Sequence, residues 1–159
     1  MTQSSEPVIR AAVAADVREI ERIALSNCKN PWNLEQILGE IGACHASLYC
    51  AITAGHIVGF IDMHIVADDA HINEIAVDSA YRGAGLGRAL LKECVDEAAR
   101  RGCKELSLEV RKGANAARRL YESSGFCEAG VRKGFYSDPE DDAVVMVLNL
   151  ITDADGKRE

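Results

Sequence analysis

The segment that most constrains this chain runs from His71 to Arg101. An alternating apolar stretch, His71 to Val77, leads into Asp78-Ser79-Ala80-Tyr81-Arg82-Gly83-Ala84-Gly85-Leu86-Gly87-Arg88, and a helical pattern follows from about Leu86 to Arg101. Glycines stand at the alternate positions 83, 85 and 87. Lacking Cβ atoms, they let backbone N–H groups turn inward and approach an anion closely. The helix adds its own unpaired N–H groups and the positive end of its dipole. Strand, loop and helix in this order predict a pyrophosphate-binding loop; a plain glycine-rich turn that opens a helix is the alternative. A dinucleotide fingerprint would need a small residue where Arg88 stands, and the glycine and lysine of a P-loop are missing.

A chain of 159 residues is long enough for one domain with a sizeable core. We expect that domain over residues 7–151, with flexible tails at 1–6 and 152–159. The formal charge of −7 argues against nucleic acid as a direct partner. An anionic ligand must then be held by local cations, for which Arg82 and Arg88 are placed, with Lys92 one turn along the helix from Arg88. Residues 1–6 lack the basic and apolar regions of a signal peptide, and the longest apolar run, Ala143 to Leu148, has the length of a strand. A cytoplasmic protein without membrane contact is expected. The six cysteines (28, 44, 50, 94, 103 and 127) contain no C-x-x-C pair and read as reduced and mostly buried. The four histidines (45, 56, 64 and 71) have no ligand or triad spacing, so no metal is expected. Neither serine nor cysteine occupies a nucleophile elbow, which favours direct attack over a covalent acyl-enzyme.

In chain order, Pro7 to Ala12 reads as a strand, and Asp16 is positioned to cap a helix with Val17, Ile20, Ile23 and Ala24 on one face. Asn33 with Gln36 has the form of a capping box opening a helix to about Ile41. Trp32, the single tryptophan, either anchors the start of that helix or lines a substrate groove. Leu48–Thr53 and His56–Val66 read as a hairpin turning at Ala54-Gly55. On the long helix, Leu90, Leu91, Cys94, Val95 and Ala98 form the buried stripe, and Gly102 ends it. Glu105 to Val110 alternates cleanly, with Leu106, Leu108 and Val110 on one face. A helix over about Asn115 to Ser124 stops at Gly125; strands follow at Phe126–Arg132 and Ala143–Leu150. The sum is an α+β domain on a mixed sheet, in which the strands flanking the long helix are parallel neighbours joined by a right-handed crossover.

Arg82-Gly83-Ala84-Gly85-Leu86-Gly87, an R-x-x-G-x-G pattern, resembles the coenzyme A pyrophosphate loop of the GCN5-related N-acetyltransferases. Leu108-Glu109-Val110-Arg111 followed by Leu120-Tyr121-Glu122-Ser123-Ser124-Gly125-Phe126 is similar to one branch, the bacterial ribosomal-protein-alanine N-acetyltransferases. Pro31-Trp32 and the segment Arg132 to Ala143 extend that likeness over roughly residues 7–150. The resemblance implies the GCN5-related acetyltransferase fold: a mixed central sheet of about seven strands with splayed central strands, flanked by about four helices. It implies acetyl-CoA as co-substrate, no metal, and a protein N-terminus as acceptor, such as the alanine of a ribosomal protein. Glu109 is then the proton acceptor and Tyr121 the proton donor. Backbone N–H groups of Ile75, Ala76 and Val77 hold the thioester carbonyl and pantetheine, and Arg82, Gly83, Ala84, Gly85, Leu86, Gly87 and Arg88 hold the pyrophosphate.

Two positions depart from that branch. Its cofactor-contacting asparagine falls on Ala114 here, with Asn115 one residue later, where it faces elsewhere or caps the helix. Gly134-Phe135 stands where Asn-Tyr is usual, which bears on substrate choice. Acidic residues at 138, 140, 141 and 142 offer a surface for a basic peptide, or a solvated loop. Acetyl transfer needs a neutral amine, and at pH 7 about a tenth of peptide α-amines are neutral against roughly one lysine in 2,500. Two readings stand beside N-α-acetylation: the same chemistry on a lysine or small-molecule amine, and an acyl-CoA-binding sensor without turnover.

Overall fold

Apolar periodicity divides the chain into strands and helices close to the expected bounds. The computed structural model describes residues 6–151, so the expected tails, Glu6 apart, lie outside the described residues. The elements are β1 (Val8–Ala11), α1 (Val17–Asn27), α2 (Leu34–Glu40), β2 (Ala46–Thr53), β3 (His56–Val66), β4 (Asp69–Val77), α3 (Leu86–Arg100), β5 (Glu105–Arg111), α4 (Asn115–Ser123), β6 (Cys127–Tyr136) and β7 (Asp141–Asn149). Seven strands form one mixed sheet in the order β1-β2-β3-β4-β5-β7-β6, the α+β class expected. No helix among the described residues is long and apolar enough to cross a membrane.

The chain forms two compact units, residues 6–64 with 73–95, and residues 65–72 with 96–151. In the first, β1, β2 and β3 are antiparallel, with Val8 opposite Ile52 and Cys50 opposite Phe60. Helix α1 lays Ile20, Ile23 and Ala24 on this sheet, where they join Ile37, Leu48, Cys50, Phe60 and Ala76 in one apolar cluster. Asn33 caps α2 as expected: its Oδ1 accepts from Gln36 N–H at 2.9 Å, and Gln36 Oε1 accepts from Asn33 N–H at 2.9 Å. Asp16 departs from expectation. Its backbone is helical and its side chain does not cap α1. Instead its carboxylate accepts from Val13 N–H at 2.8 Å and from Arg10 at 2.7 and 3.0 Å, closing a 3-10 turn ahead of the helix. Gly59 in β3 is dictated by close approach. A Cβ there would lie 3.0 Å from Ala76 O and 3.3 Å from Leu90 Cδ1.

In the second unit, β4 and β5 are parallel over Asp69↔Glu105, Ala70↔Leu106 and His71↔Ser107, as the crossover requires. Leu106, Leu108 and Val110 are buried, and β7 pairs antiparallel along β5 from Asn149 to Ala143. Helix α3 ends in a Schellman motif, with Gly102 at φ 76°, Gly102 N–H donating to Ala99 O and Cys103 N–H to Ala98 O. Strand β6 runs to Tyr136, four residues past the expected end at Arg132. It is an edge strand with no buried residue, so it has no apolar alternation to read. Gly134 lies in a register break of β6, at φ 63°, and its N–H donates to Asp142 Oδ1 at 2.9 Å.

Candidate active site

In the first unit the expected anion loop is built from the end of β4 into α3. Asp78 fixes its root: its N–H donates to Val58 O at 2.7 Å, and its carboxylate accepts from Ala80 N–H at 3.1 Å and from Arg22 at 3.2 Å. A short 3-10 turn over Ser79–Tyr81 follows, and Arg82 to Gly85 are all exposed. Gly83 and Gly85 take φ 81° and 82°, which a side chain rarely tolerates, whereas Gly87 is already helical. The first helical hydrogen bond is Ala89 N–H to Gly85 O at 3.0 Å, so the N–H groups of Leu86, Gly87 and Arg88 precede the helical ladder. These are the features an anion cradle needs. Arg82 has a structural task as well, since its guanidinium donates to Asn27 Oδ1 and, at 3.4 Å, to Val77 O. Arg88 and Lys92 are exposed on α3. Ile75 and Val77 are half-buried and Ala76 is buried near the end of β4.

In the second unit, Glu109 lies on β5 opposite Val145, with its side chain 18% exposed and its Oε1 3.3 Å from Arg132 Nη1. Tyr121 is 6% exposed on α4, its ring edge-on to Phe126 with centroids 6.0 Å apart. The turn after α4 is hydrogen-bonded through Phe126 N–H to Tyr121 O at 3.0 Å, with Gly125 at φ 99°. The serines and glycine of L-Y-E-S-S-G-F thus shape the end of the helix that holds the tyrosine. Ala114, not Asn115, is the N-cap residue of α4, and Asn115 is its first, exposed residue. Arg111 spans the β6–β7 turn: it donates to Pro139 O at 2.8 Å and lies 4.4 Å from the Tyr136 ring centroid. Of the four acidic residues expected as a peptide surface, two are committed to the hairpin. Asp141 accepts from Gly113 N–H at 3.1 Å, and Asp142 from Gly134 N–H. Asp138 and Glu140 are exposed.

Trp32 is half-buried against the core. It packs against the first unit's apolar cluster and, with Ile20, Cys28, Ile37 and Phe60, lines a recess whose one charged group is Glu74. Burial raises the Glu74 carboxyl. Burial, reinforced by that carboxylate, pushes the Cys28 thiol up to about 12, and burial likewise pushes Cys50 to about 12. At neutral pH both remain protonated and are poor nucleophiles. Among the six cysteines, Cys50, Cys94 and Cys103 are buried, while Cys44 and Cys127 are exposed, so half rather than most are core residues. The histidines also depart from expectation. Their spacing shows no ligand pattern, yet the fold brings ring nitrogens of His45 and His64 and a carboxylate oxygen of Glu40 within 4.8 Å of one another.

Residues 14–126 match the acetyltransferase (GNAT) family. The chain belongs to the GNAT acetyltransferase family. It is 32% identical over 147 residues to the putative ribosomal protein bS18-alanine N-acetyltransferase of Bacillus subtilis, covering 92% of this chain and 97% of that one. Over 98 residues it is 45% identical to the ribosomal protein bS18-alanine N-acetyltransferase of Escherichia coli K12, 60% of this chain and 66% of that protein. The crystal structure of the Escherichia coli ribosomal-protein-S18-alanine N-acetyltransferase superposes with a TM-score of 0.85 at 31% identity, covering 97% of this chain and all of that one. This GNAT protein is an acetyl-CoA-dependent N-acetyltransferase.

Proposed function

We propose that this GNAT enzyme acetylates the α-amine at a protein N-terminus, with an N-terminal alanine of a ribosomal protein as the acceptor. The observation that carries this reading is the occurrence of both Glu109, on β5, and Tyr121, on α4, within the two segments that resemble the alanine N-acetyltransferase branch. Relatives along nearly the whole chain are named for that reaction.

Bound acetyl-CoA supplies an activated thioester acyl group. The exposed loop with two glycines at positive φ, followed by the start of α3, suits a pyrophosphate. Arg82, Gly83, Ala84, Gly85, Leu86, Gly87 and Arg88 hold it, with Arg82 keeping the loop in shape through Asn27 and Val77. The N–H groups of Ile75, Ala76 and Val77 hold the pantetheine and the carbonyl oxygen on which charge builds. Glu109, kept in place by Arg132, accepts a proton from the α-ammonium, directly or through water. The neutral nitrogen attacks the acyl carbon; the C–N bond forms and the C–S bond breaks. Tyr121 donates its O–H proton to the departing sulfur, and the second proton that the nitrogen sheds on becoming the amide restores the phenol. Exposed Asp138 and Glu140 at the β6–β7 turn favour an acceptor with basic residues near its N-terminus.

The test is Tyr121→Phe, assayed on a lysine-free peptide with a free N-terminal alanine. Transfer is expected to fall about 10²-fold or more. Acetyl-CoA affinity measured by calorimetry is expected to stay within about twofold. Undiminished transfer in the variant would remove Tyr121 as the donor. A wild-type chain that binds acetyl-CoA but modifies no amine would leave the sensor reading in its place.

A further inference from the structure

We infer that Glu40, His45 and His64, with the buried Asp62 beside them, form a binding site for a first-row divalent transition-metal ion, of which Zn2+ is the type. The site stands in the first unit, and its case is independent of the acyl-transfer reading. Glu40 is the last residue of α2, His45 immediately precedes β2, and Asp62 and His64 are two residues apart on β3, hence on one face of that strand. Ligand atoms of Glu40, His45 and His64 all lie within 4.8 Å of one another. His64 Nε2 is 2.5 Å from Glu40 Oε2 and 3.5 Å from Asp62 Oδ1. Donors around a tetrahedral Zn2+ are about 3.3 Å apart, given metal–ligand bonds of about 2.0–2.2 Å. Seating an ion brings these donor separations, 2.5 Å for Glu40 with His64 and up to 4.8 Å among the three, to about 3.3 Å.

Asp62 is the second, independent observation. It is 0% exposed, its Oδ1 accepts from Asn73 at 2.9 Å, and its Oδ2 has no hydrogen-bond partner among the described residues. A buried carboxylate is costly unless a cation or donors satisfy it, and here a second carboxylate, Glu40, stands beside the same imidazole. A divalent cation would satisfy both carboxylates at once. Two imidazoles with the Glu40 carboxylate, and the Asp62 carboxylate beside them, suit Zn2+, Co2+ or Ni2+, whereas Mg2+ and Ca2+ prefer oxygen-only shells. The His45 ring packs edge-on against His64 at 5.0 Å, and the Trp32 ring stacks against His64 with centroids 6.5 Å apart. An ion there would tie the end of α2 to β3 directly beneath Trp32.

The experiment titrates the purified full chain with ZnCl2 by calorimetry and with CoCl2 by fluorescence and absorption. Trp32 is the single tryptophan, so Co2+ at His64 quenches its emission. The expected results are one ion per chain, quenching of Trp32, and Co2+ absorption without the thiolate charge-transfer band. His45→Ala, which alters an exposed residue, should weaken binding about tenfold or more, with a larger loss in His64→Ala. Cys44→Ser, which tests the adjacent exposed thiol, should leave binding unchanged. The inference is overturned if the wild-type chain binds neither ion, or if His45→Ala binds as tightly as wild type. A thiolate band that disappears in Cys44→Ser along with binding would equally overturn it, because the ligands would then be cysteines.

Discussion

At the scale of single residues, the fold uses side chains for tasks that their sequence positions only partly announce. Asp16 stands where an N-cap of α1 belongs, yet its carboxylate accepts from Arg10 and from Val13 N–H. A cap can be read from sequence because it acts on residues two or three positions away; the Arg10 pairing depends on where β1 delivers that guanidinium. Hydrogen bonds from Arg10, then from Val13, hold the Asp16 carboxyl below the usual carboxylate value, against the opposing effect of burial. Because the folded-state value is depressed, the stabilisation is complete above the unfolded value and is lost as pH falls through the folded one. Asp16→Asn should cost about 1–3 kcal/mol in urea unfolding at pH 7. The gap to wild type should narrow below about pH 4. The catalytic candidates differ in kind. Nothing in the alternation of β5 separates Glu109 from Glu105, and only the resemblance of the surrounding segment marks it out.

At the scale of elements, strands and helices with one buried face were legible, and those without one were not. Leu106, Leu108 and Val110 specify β5 by alternation, and the α3 stripe from Leu90 to Ala98 is buried as read. The Asn33–Gln36 capping box sets the start of α2 through two hydrogen bonds that are local in sequence. Strand β6 resisted reading beyond Arg132 because its residues face solvent and Gly134 breaks its register. Gly87, although part of the glycine pattern of the loop, is helical, in keeping with a helix expected from about Leu86. Gly59 was not singled out by sequence at all, since its constraint comes from Ala76 and Leu90, which are distant along the chain. Gly59→Ala should therefore destabilise by about 1–3 kcal/mol in thermal or urea unfolding. Gly130→Ala, where a Cβ would meet nothing within 4 Å, should stay within about 0.5 kcal/mol of wild type.

At the scale of the whole molecule, the sheet order follows from two facts readable in the chain and one that is not. The hairpin signal at Ala54-Gly55 and the crossover after β4 were readable; the insertion of β7 between β5 and β6 was not, because antiparallel pairing at that distance leaves no local mark. The same limit hid the cluster of Glu40, His45, Asp62 and His64, whose members come from three segments. The one trace in the sequence is the Asp62-x-His64 spacing on a strand. Function was legible further than geometry, because the R-x-x-G-x-G loop and the L-E-V-R and L-Y-E-S-S-G-F segments each carry chemistry that a family shares. What they leave open is the amine. The direct measurement is a competition within one peptide carrying both a free N-terminal alanine and an internal lysine, incubated with acetyl-CoA and the full chain at pH 7. The acetyl group is then located by fragmentation mass spectrometry. Acetylation confined to the α-amine is the expected result, and acetylation confined to the lysine would contradict the account.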